Sequence, residues 1–325
     1  MQIIHQYLPI FQRYLELNEF TAPPVQLYEP ANYIMRLGGK RLRPILTLAT
    51  CDLYKTDIEE ALPAALAIEV FHNFSLVHDD IMDDAPLRRG KATVHELYDT
   101  NRAILSGDVM LILSYQLLCK TRDKSKIPLL LEVFNDTAIK VCEGQQYDMN
   151  FEVEKSVAIA DYLIMIEMKT AALLQGALEI GAIIGGASVA DVKHLSEFGR
   201  NIGIAFQLQD DLLDTFGDAE KFGKQTGGDI IQNKKTFLVL KALEIASAAD
   251  KKELLKWMDS ADDDDKKKVI EVTKLFKKME IPKLTFQLIV EYKTKALEHL
   301  AMLSTDGKDK KGLIEFAEMI IEREV

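Results

Sequence analysis

The chain has 325 residues, enough for one large domain or two ordinary ones, and its 48% hydrophobic content is ample for a core. A net charge of −11 excludes a general nucleic-acid binder, although a local basic patch can still serve a phosphate-bearing ligand. Three widely spaced cysteines, Cys51, Cys119 and Cys142, form neither a zinc pattern nor a disulfide framework, and are read as buried thiols in a reducing, cytoplasmic compartment.

In chain order, apolar periodicity predicts helices near 2–18, 24–37, 41–54, 59–83, 93–98, 102–121, 126–149, 158–184, 189–216, 228–247, 250–258, 262–278, 281–304 and 309–323. The first of these lacks the basic start and small-residue cleavage site of a signal peptide. No uncharged apolar run reaches the ~20 residues of a membrane span. Pro63 and Pro282 suit first turns, where a missing N–H costs little. Strand-like runs are scarce and no proline- or serine-rich linker divides the chain. The expectation is an all-α protein, one large helical bundle around a central cavity, with residues 1–325 forming a single domain. The run DSADDDDKKK (259–268) has polar flanks and reads as a solvated loop and helix start.

One spacing recurs. DDIMD (Asp79, Asp80, Asp83) returns as DDLLD (Asp210, Asp211, Asp214), each closing a long apolar helical run. Positions i and i+4 on a helix lie about 5–6 Å apart, so Asp79 faces along with Asp83 and Asp210 with Asp214. Like charges at that spacing destabilise a helix unless compensated. Six carboxylates without histidine or cysteine are hard oxygen donors suited to Mg²⁺, which keeps several waters and is completed by substrate phosphates. Two such clusters facing across a cavity would hold cations that in turn hold a phosphate group.

Basic residues follow where that reading needs them. Arg88 and Arg89 come directly after the first cluster, and FGKQTGGDIIQNKKT after the second carries Lys224, Lys234 and Lys235 with glycines that permit a tight loop. Lys169 lies among Met165, Ile166, Ala172, Leu173 and Gly176, so it either snorkels outward or meets an internal anion; the anion is favoured. LGGKRLRP (37–44) sets Lys40, Arg41 and Arg43 behind two glycines, a second basic locus. Two anion loci beside metal clusters suggest two phosphorylated substrates, one metal-bound and one held by basic side chains alone. His78, inside an apolar helix, reads as a hydrogen-bonded structural residue.

GGKRLRP, LVHDDIMDDAPLRRG, MKTA, FQLQDDLLD and FGKQTGGD together resemble the signature segments of the trans-isoprenyl diphosphate synthases, the polyprenyl synthetase family, over residues 30 to 240. The resemblance implies a prenyltransferase that condenses isopentenyl diphosphate with an allylic diphosphate. It implies a cluster of about three Mg²⁺ ions, held through oxygen ligands: Asp79 and Asp83 as ligands with Asp80 close by, and Asp210 as direct ligand with Asp211 and Asp214 acting through waters. The allylic diphosphate would be gripped by Arg88, Lys169, Thr170, Gln207, Lys224 and Lys234. Isopentenyl diphosphate would be held without metal by the Gly39 backbone, Lys40, Arg43, His72 and Arg89, with Gln145 and Asp148 lining the cavity. A homodimer, no nucleic-acid partner and no stable membrane insertion are further implications.

Phe74 and Phe71 stand about 7.5 and 12 Å before Asp79 at 1.5 Å rise per residue, comparable to one or two isoprene units. They either cap the growing chain or simply fill core. An aromatic five residues before the first aspartate goes with short products in the family, whereas Ser75 and the absence of a two-residue insertion leave C15 and C20 both open. A longer-chain synthase is the nearest alternative, and an inactive partner subunit of a heteromeric synthase another. Complete aspartate motifs weigh against the latter, and the all-aspartate DDLLD weighs against a terpene cyclase.

Overall fold

The computed structural model describes residues 2–217, 227–258, 264–305 and 310–322. The architecture is all-α. The helices are α1 Gln2–Leu17, α2 Val25–Arg36, α3 Leu42–Asp52, α4 Leu62–Met82, α5 Val94–Leu97, α6 Thr100–Leu118, α7 Ile127–Val153, α8 Ile159–Ile166, α9 Ala172–Gly185 and α10 Val189–Phe216. They continue with α11 Gly228–Ile231, α12 Phe237–Ile245, α13 Ala248–Met258, α14 Asp265–Lys278, α15 Ile281–Ala301 and α16 Lys311–Glu322. Pro63 and Pro282 occupy first turns, as expected. Among the described residues no helix is long and apolar enough to cross a membrane.

Three local features depart from the expected elements. A two-strand hairpin, β1 Leu87–Arg88 and β2 Lys91–Ala92, follows α4. Its loop, Arg89-Gly90, has φ of 53° and 74°, the positive pair that suits a tight two-residue turn. A π-helical stretch, Glu167–Ala171, interrupts the helix expected over 158–184. The single helix expected over 228–247 divides into α11 and α12, separated by a turn in which Asn233 has φ 56°. Lys268, buried to 4% exposure, fixes that turn by donating to Asn233 Oδ1 at 2.6 Å.

The chain packs as two compact units, the first comprising residues 1–136, 176–196 and 303–315 and the second 137–175, 197–302 and 316–325. In the first, α4 is buried on almost every side and packs chiefly on α6, then on α3. Ala64, Ala65 and Ala67, all fully buried, let its neighbours approach closely. A helix buried all round is expected to be apolar all round; α4 breaks that rule at Glu69, Asn73 and Asp80. In the second unit α12 packs on α8 and α15, while α14 packs on α11, α13 and α15.

The cysteine expectation holds only for Cys51, which is buried and whose thiol is pushed up to about 12 by burial, with Asp52 adding to it. Cys119 and Cys142 are exposed, because one ends α6 and the other lies on the outer face of α7.

Candidate active site

In the first unit, the GGKRLR loop separates its three cations. Arg41 adopts a left-handed φ of 50° and turns inward, buried to 6% exposure. There it donates to Glu69 Oε1 on α4 and to the Met35 carbonyl. Asn73, one turn along α4, donates to the Glu69 carbonyl at 2.8 Å and to Oε1 at 3.2 Å. This buried ion pair accounts for the polar interruption of α4. Lys40 is exposed, and Arg43 lies within 3.3 Å of His72 Nε2. A guanidinium has only donors, so Nε2 accepts and the imidazole proton sits on Nδ1. Burial first, then the nearby Arg43, Arg89, Arg88 and Arg41, hold His72 well below its ordinary pKa, and the ring is neutral.

The hairpin sends its two arginines to different places. Arg88 grips Asp80 through Nε and Nη2 at 2.7–2.9 Å, and Asp80 is only 1% exposed. Arg89 donates to the Gly38 carbonyl. Gly39 has φ 127°, and a Cβ there would come within 2.9 Å of the Arg89 guanidinium. Glycine at 39 suits this positive φ, and its bare face is where the Arg89 guanidinium crosses. Asp79 is half-buried and Asp83 exposed at the end of α4; the Asp83 N–H donates to the Asp79 carbonyl at 2.9 Å, placing them one turn apart.

Upstream on α4, Phe74 is 8% exposed and Phe71 fully buried. Their ring centroids are 5.5 Å apart; Phe71 meets Phe134 edge-on at 5.2 Å, and Phe74 meets His78 at 4.8 Å. His78 approaches the Ile104 carbonyl at 3.2 Å, over Gly107, where a Cβ would clash at 2.2 Å. It is a packed, hydrogen-bonded residue, as expected.

In the second unit, a cavity of about 100 Å³ is lined by Lys169, Thr170, Gln207, Asp211 and Lys234, together with Asp148, Tyr162, Asp229 and Lys235. The anion facing Lys169 is Asp148, whose Oδ2 lies 2.5 Å from Nζ. The π-helical stretch that presents Lys169 and Thr170 is closely covered from two sides. A Cβ at Gly144 on α7 would lie 2.3 Å from the Lys169 nitrogen, and one at Gly203 on α10 would lie 2.5 Å from the Ala171 Cα. Such bulges recur at functional sites.

Behind Lys169 runs a directed chain of hydrogen bonds. Thr170 Oγ1 donates to Gln207 Oε1 at 2.9 Å, and Gln207 Nε2 donates to Asp211 Oδ1 at 2.9 Å. Tyr162 donates to Asp211 Oδ2. Burial and then the negative charge of Asp229 raise the Asp211 pKa well above its ordinary value, while burial and Asp211 raise that of Tyr162. The second motif thus divides its aspartates. Asp210 is exposed, Asp211 is enclosed by Tyr162 and Gln207, and Asp214 accepts the Asp229 N–H at 2.9 Å at the start of α11. Gly227, with φ 84°, donates to the Asp214 carbonyl at 2.6 Å and sets that turn. Lys235 donates to the carbonyls of Phe151 and Glu152. Lys224 lies outside the described residues.

Tyr162 and Glu69 lie outside the motifs, and the motifs that contain Arg41 and Asp229 do not show that Arg41 pairs with Glu69 or that Asp229 lines the cavity. Tyr162 had a signal: it stands seven residues, two helical turns, before Lys169 and so shares its face.

The comparisons with known proteins agree with this arrangement. The polyprenyl synthetase family model matches residues 24–276. A short chain isoprenyl diphosphate synthase of Methanothermobacter thermautotrophicus is 36% identical over 324 residues, covering 100% of this chain and 98% of that protein. A crystal structure of geranylgeranyl pyrophosphate synthase superposes with a TM-score of 0.94 at 42% identity, covering 99% of each chain. The geranylgeranyl pyrophosphate synthetase of Pyrococcus horikoshii gives 0.91 at 37% identity, covering 99% of this chain and 98% of that one. With its two aspartate motifs, GGKR loop and arginine hairpin inside the matched region, the chain belongs to the polyprenyl synthetase family.

Proposed function

We propose that the chain is a Mg²⁺-dependent prenyltransferase that joins isopentenyl diphosphate head-to-tail to an allylic diphosphate, giving a short all-trans prenyl diphosphate of C15–C20. The observation that carries this reading is the cavity of the second unit, where two lysines of the expected diphosphate grip, Lys169 and Lys234, share walls with Asp211 of the second aspartate motif. The names of the relatives, short-chain and geranylgeranyl synthases, support the product range.

The donor set fits Mg²⁺: Asp79, Asp83 and Asp210 offer oxygen only, in solvent-reachable positions, with Asp80, Asp211 and Asp214 behind them. When bound, Mg²⁺ offsets charge that builds on the departing diphosphate. The chain's own part is to supply fixed donors to the same oxygens. Lys169 exchanges Asp148 for substrate, while Lys234, Lys224 and Arg88 add positive charge, and Thr170 and Gln207 fix orientation. Breaking the allylic C–O bond leaves the electron pair on diphosphate and a cation on carbon. The double bond of isopentenyl diphosphate, positioned by the Gly39 backbone, Lys40, Arg43, neutral His72 and Arg89, attacks that cation. A proton then leaves the new cation, and the departed diphosphate is the base we assign. Phe74 limits the tail. A homodimer is part of the proposal, in keeping with the exposed Leu105 and Ile112 on α6.

The test is diphosphate release from isopentenyl and dimethylallyl diphosphates with and without Mg²⁺, with product length read by mass spectrometry. Turnover that requires Mg²⁺ and yields C15 or C20 supports the proposal. No turnover with C5, C10 or C15 primers contradicts it and favours the inactive partner subunit.

A further inference from the structure

Asp84, His95 and Glu96 converge just beyond the first aspartate motif, and nothing in the proposed reaction uses them. Asp84 follows the end of α4 with φ 48°, while His95 and Glu96 lie on α5. One ligand-capable atom from each lies within 4.8 Å of the other two. Exposed acids often gather without consequence, but the imidazole here is different. The His95 side chain is only 7% exposed, and its two ring nitrogens are buried without a hydrogen-bond partner among the described residues. Nε2 stands 3.8 Å from Glu96 Oε1, beyond hydrogen-bond reach. Burying a polar atom with no partner is costly, and a bound ion is one way to satisfy a ring nitrogen here.

We infer that Asp84, His95 and Glu96 form a binding site for one first-row transition-metal dication of the zinc type, separate from the aspartate motifs. One imidazole nitrogen with two carboxylate oxygens is a borderline donor set. It suits Zn²⁺ or Co²⁺ over Mg²⁺, which the oxygen-only motifs suit better. Metal–ligand distances of about 2.0–2.2 Å require the carboxylates to close inward by about an ångström, with water completing a tetrahedron. Both carboxylates are on exposed residues and free of the core, whereas the imidazole is held in place. Bound metal would tie residue 84 to residues 95 and 96, closing the segment that carries the Arg88–Arg89 hairpin. The site is a clamp on that hairpin.

The test titrates metal-stripped full-length protein with Co²⁺ in excess Mg²⁺, read by visible absorption and by metal retained on equilibrium dialysis. Excess Mg²⁺ occupies the carboxylate motifs, so Co²⁺ reports the imidazole site. The expected result is one equivalent of Co²⁺ per chain, displaced by Zn²⁺, with affinity lowered about tenfold or more in Asp84→Asn and in Glu96→Gln. Those substitutions fall on exposed residues, so the fold survives them even if His95→Ala does not fold. No retained Co²⁺ in the native chain, or unchanged affinity in both carboxamide variants, overturns the inference. Neither readout involves turnover, so the result stands apart from the proposed reaction.

Discussion

At the scale of single residues, Asp211 holds the clearest conflict between stability and use. Its carboxylate is enclosed and feels Asp229, and these two effects outweigh the hydrogen bonds from Tyr162 and Gln207 that favour its charged form, so its folded pKa lies above the unfolded value near 3.9. The folded chain therefore keeps this proton to higher pH than the unfolded chain does. Stability from this group is present at low pH and is lost as pH rises through the folded pKa. Asp211→Asn keeps the size and, with the Gln207 amide turned over, can keep both partners. The expected outcome is a higher melting temperature in metal-free protein at pH 8, by about 1–2 °C for each kcal/mol recovered. The gain should shrink toward pH 4, and diphosphate release should fall. Calorimetry across pH checks this; an Asn variant melting lower than the native chain at pH 8 contradicts it. Stability surrendered at a site is usual where charge is needed for chemistry.

At the scale of elements, α4 does two jobs: it ends in the first aspartate motif and carries the aromatic residues behind it. Phe74 lies between Phe71 and His78, so its removal opens space about one and a half turns from Asp79. Phe74→Ala is expected to shift the products by one or more isoprene units, as seen by mass spectrometry. An unchanged distribution assigns Phe74 to core packing alone. The helices themselves were legible: α10 begins and ends where apolar periodicity places it, and the first turns at Pro63 and Pro282 follow from proline's missing N–H. The hairpin was not legible. Four paired residues carry too little alternation to register, and Gly90 alone marks the turn. The π-helical stretch was hidden for another reason. It is fitted to Gly144 and Gly203 on neighbouring helices, a tertiary condition that local periodicity does not contain. The motif aspartates were visible from spacing, but their division of labour was not. Asp80 is bound by a hairpin arginine, and Asp211 is enclosed by a tyrosine 49 residues away.

At the scale of the whole molecule, each unit holds one aspartate motif and its own set of cations. In the first, Arg41, Arg43, Arg88 and Arg89 crowd one neutral imidazole within a protein of net charge −11. In the second, lysines border a small polar cavity beside Asp211. The proposed reaction requires both motifs to act on one diphosphate, and the most direct measurement is a double-mutant cycle. Single-turnover diphosphate release would be compared for the native chain, Asp79→Ala, Asp210→Ala and the double variant, with circular dichroism confirming the fold of each. If the motifs serve one substrate, each single change lowers the rate by about 10²–10³-fold and the double change adds little further. Losses that multiply, or an Asp210→Ala variant that turns over normally, would show that the two motifs act apart.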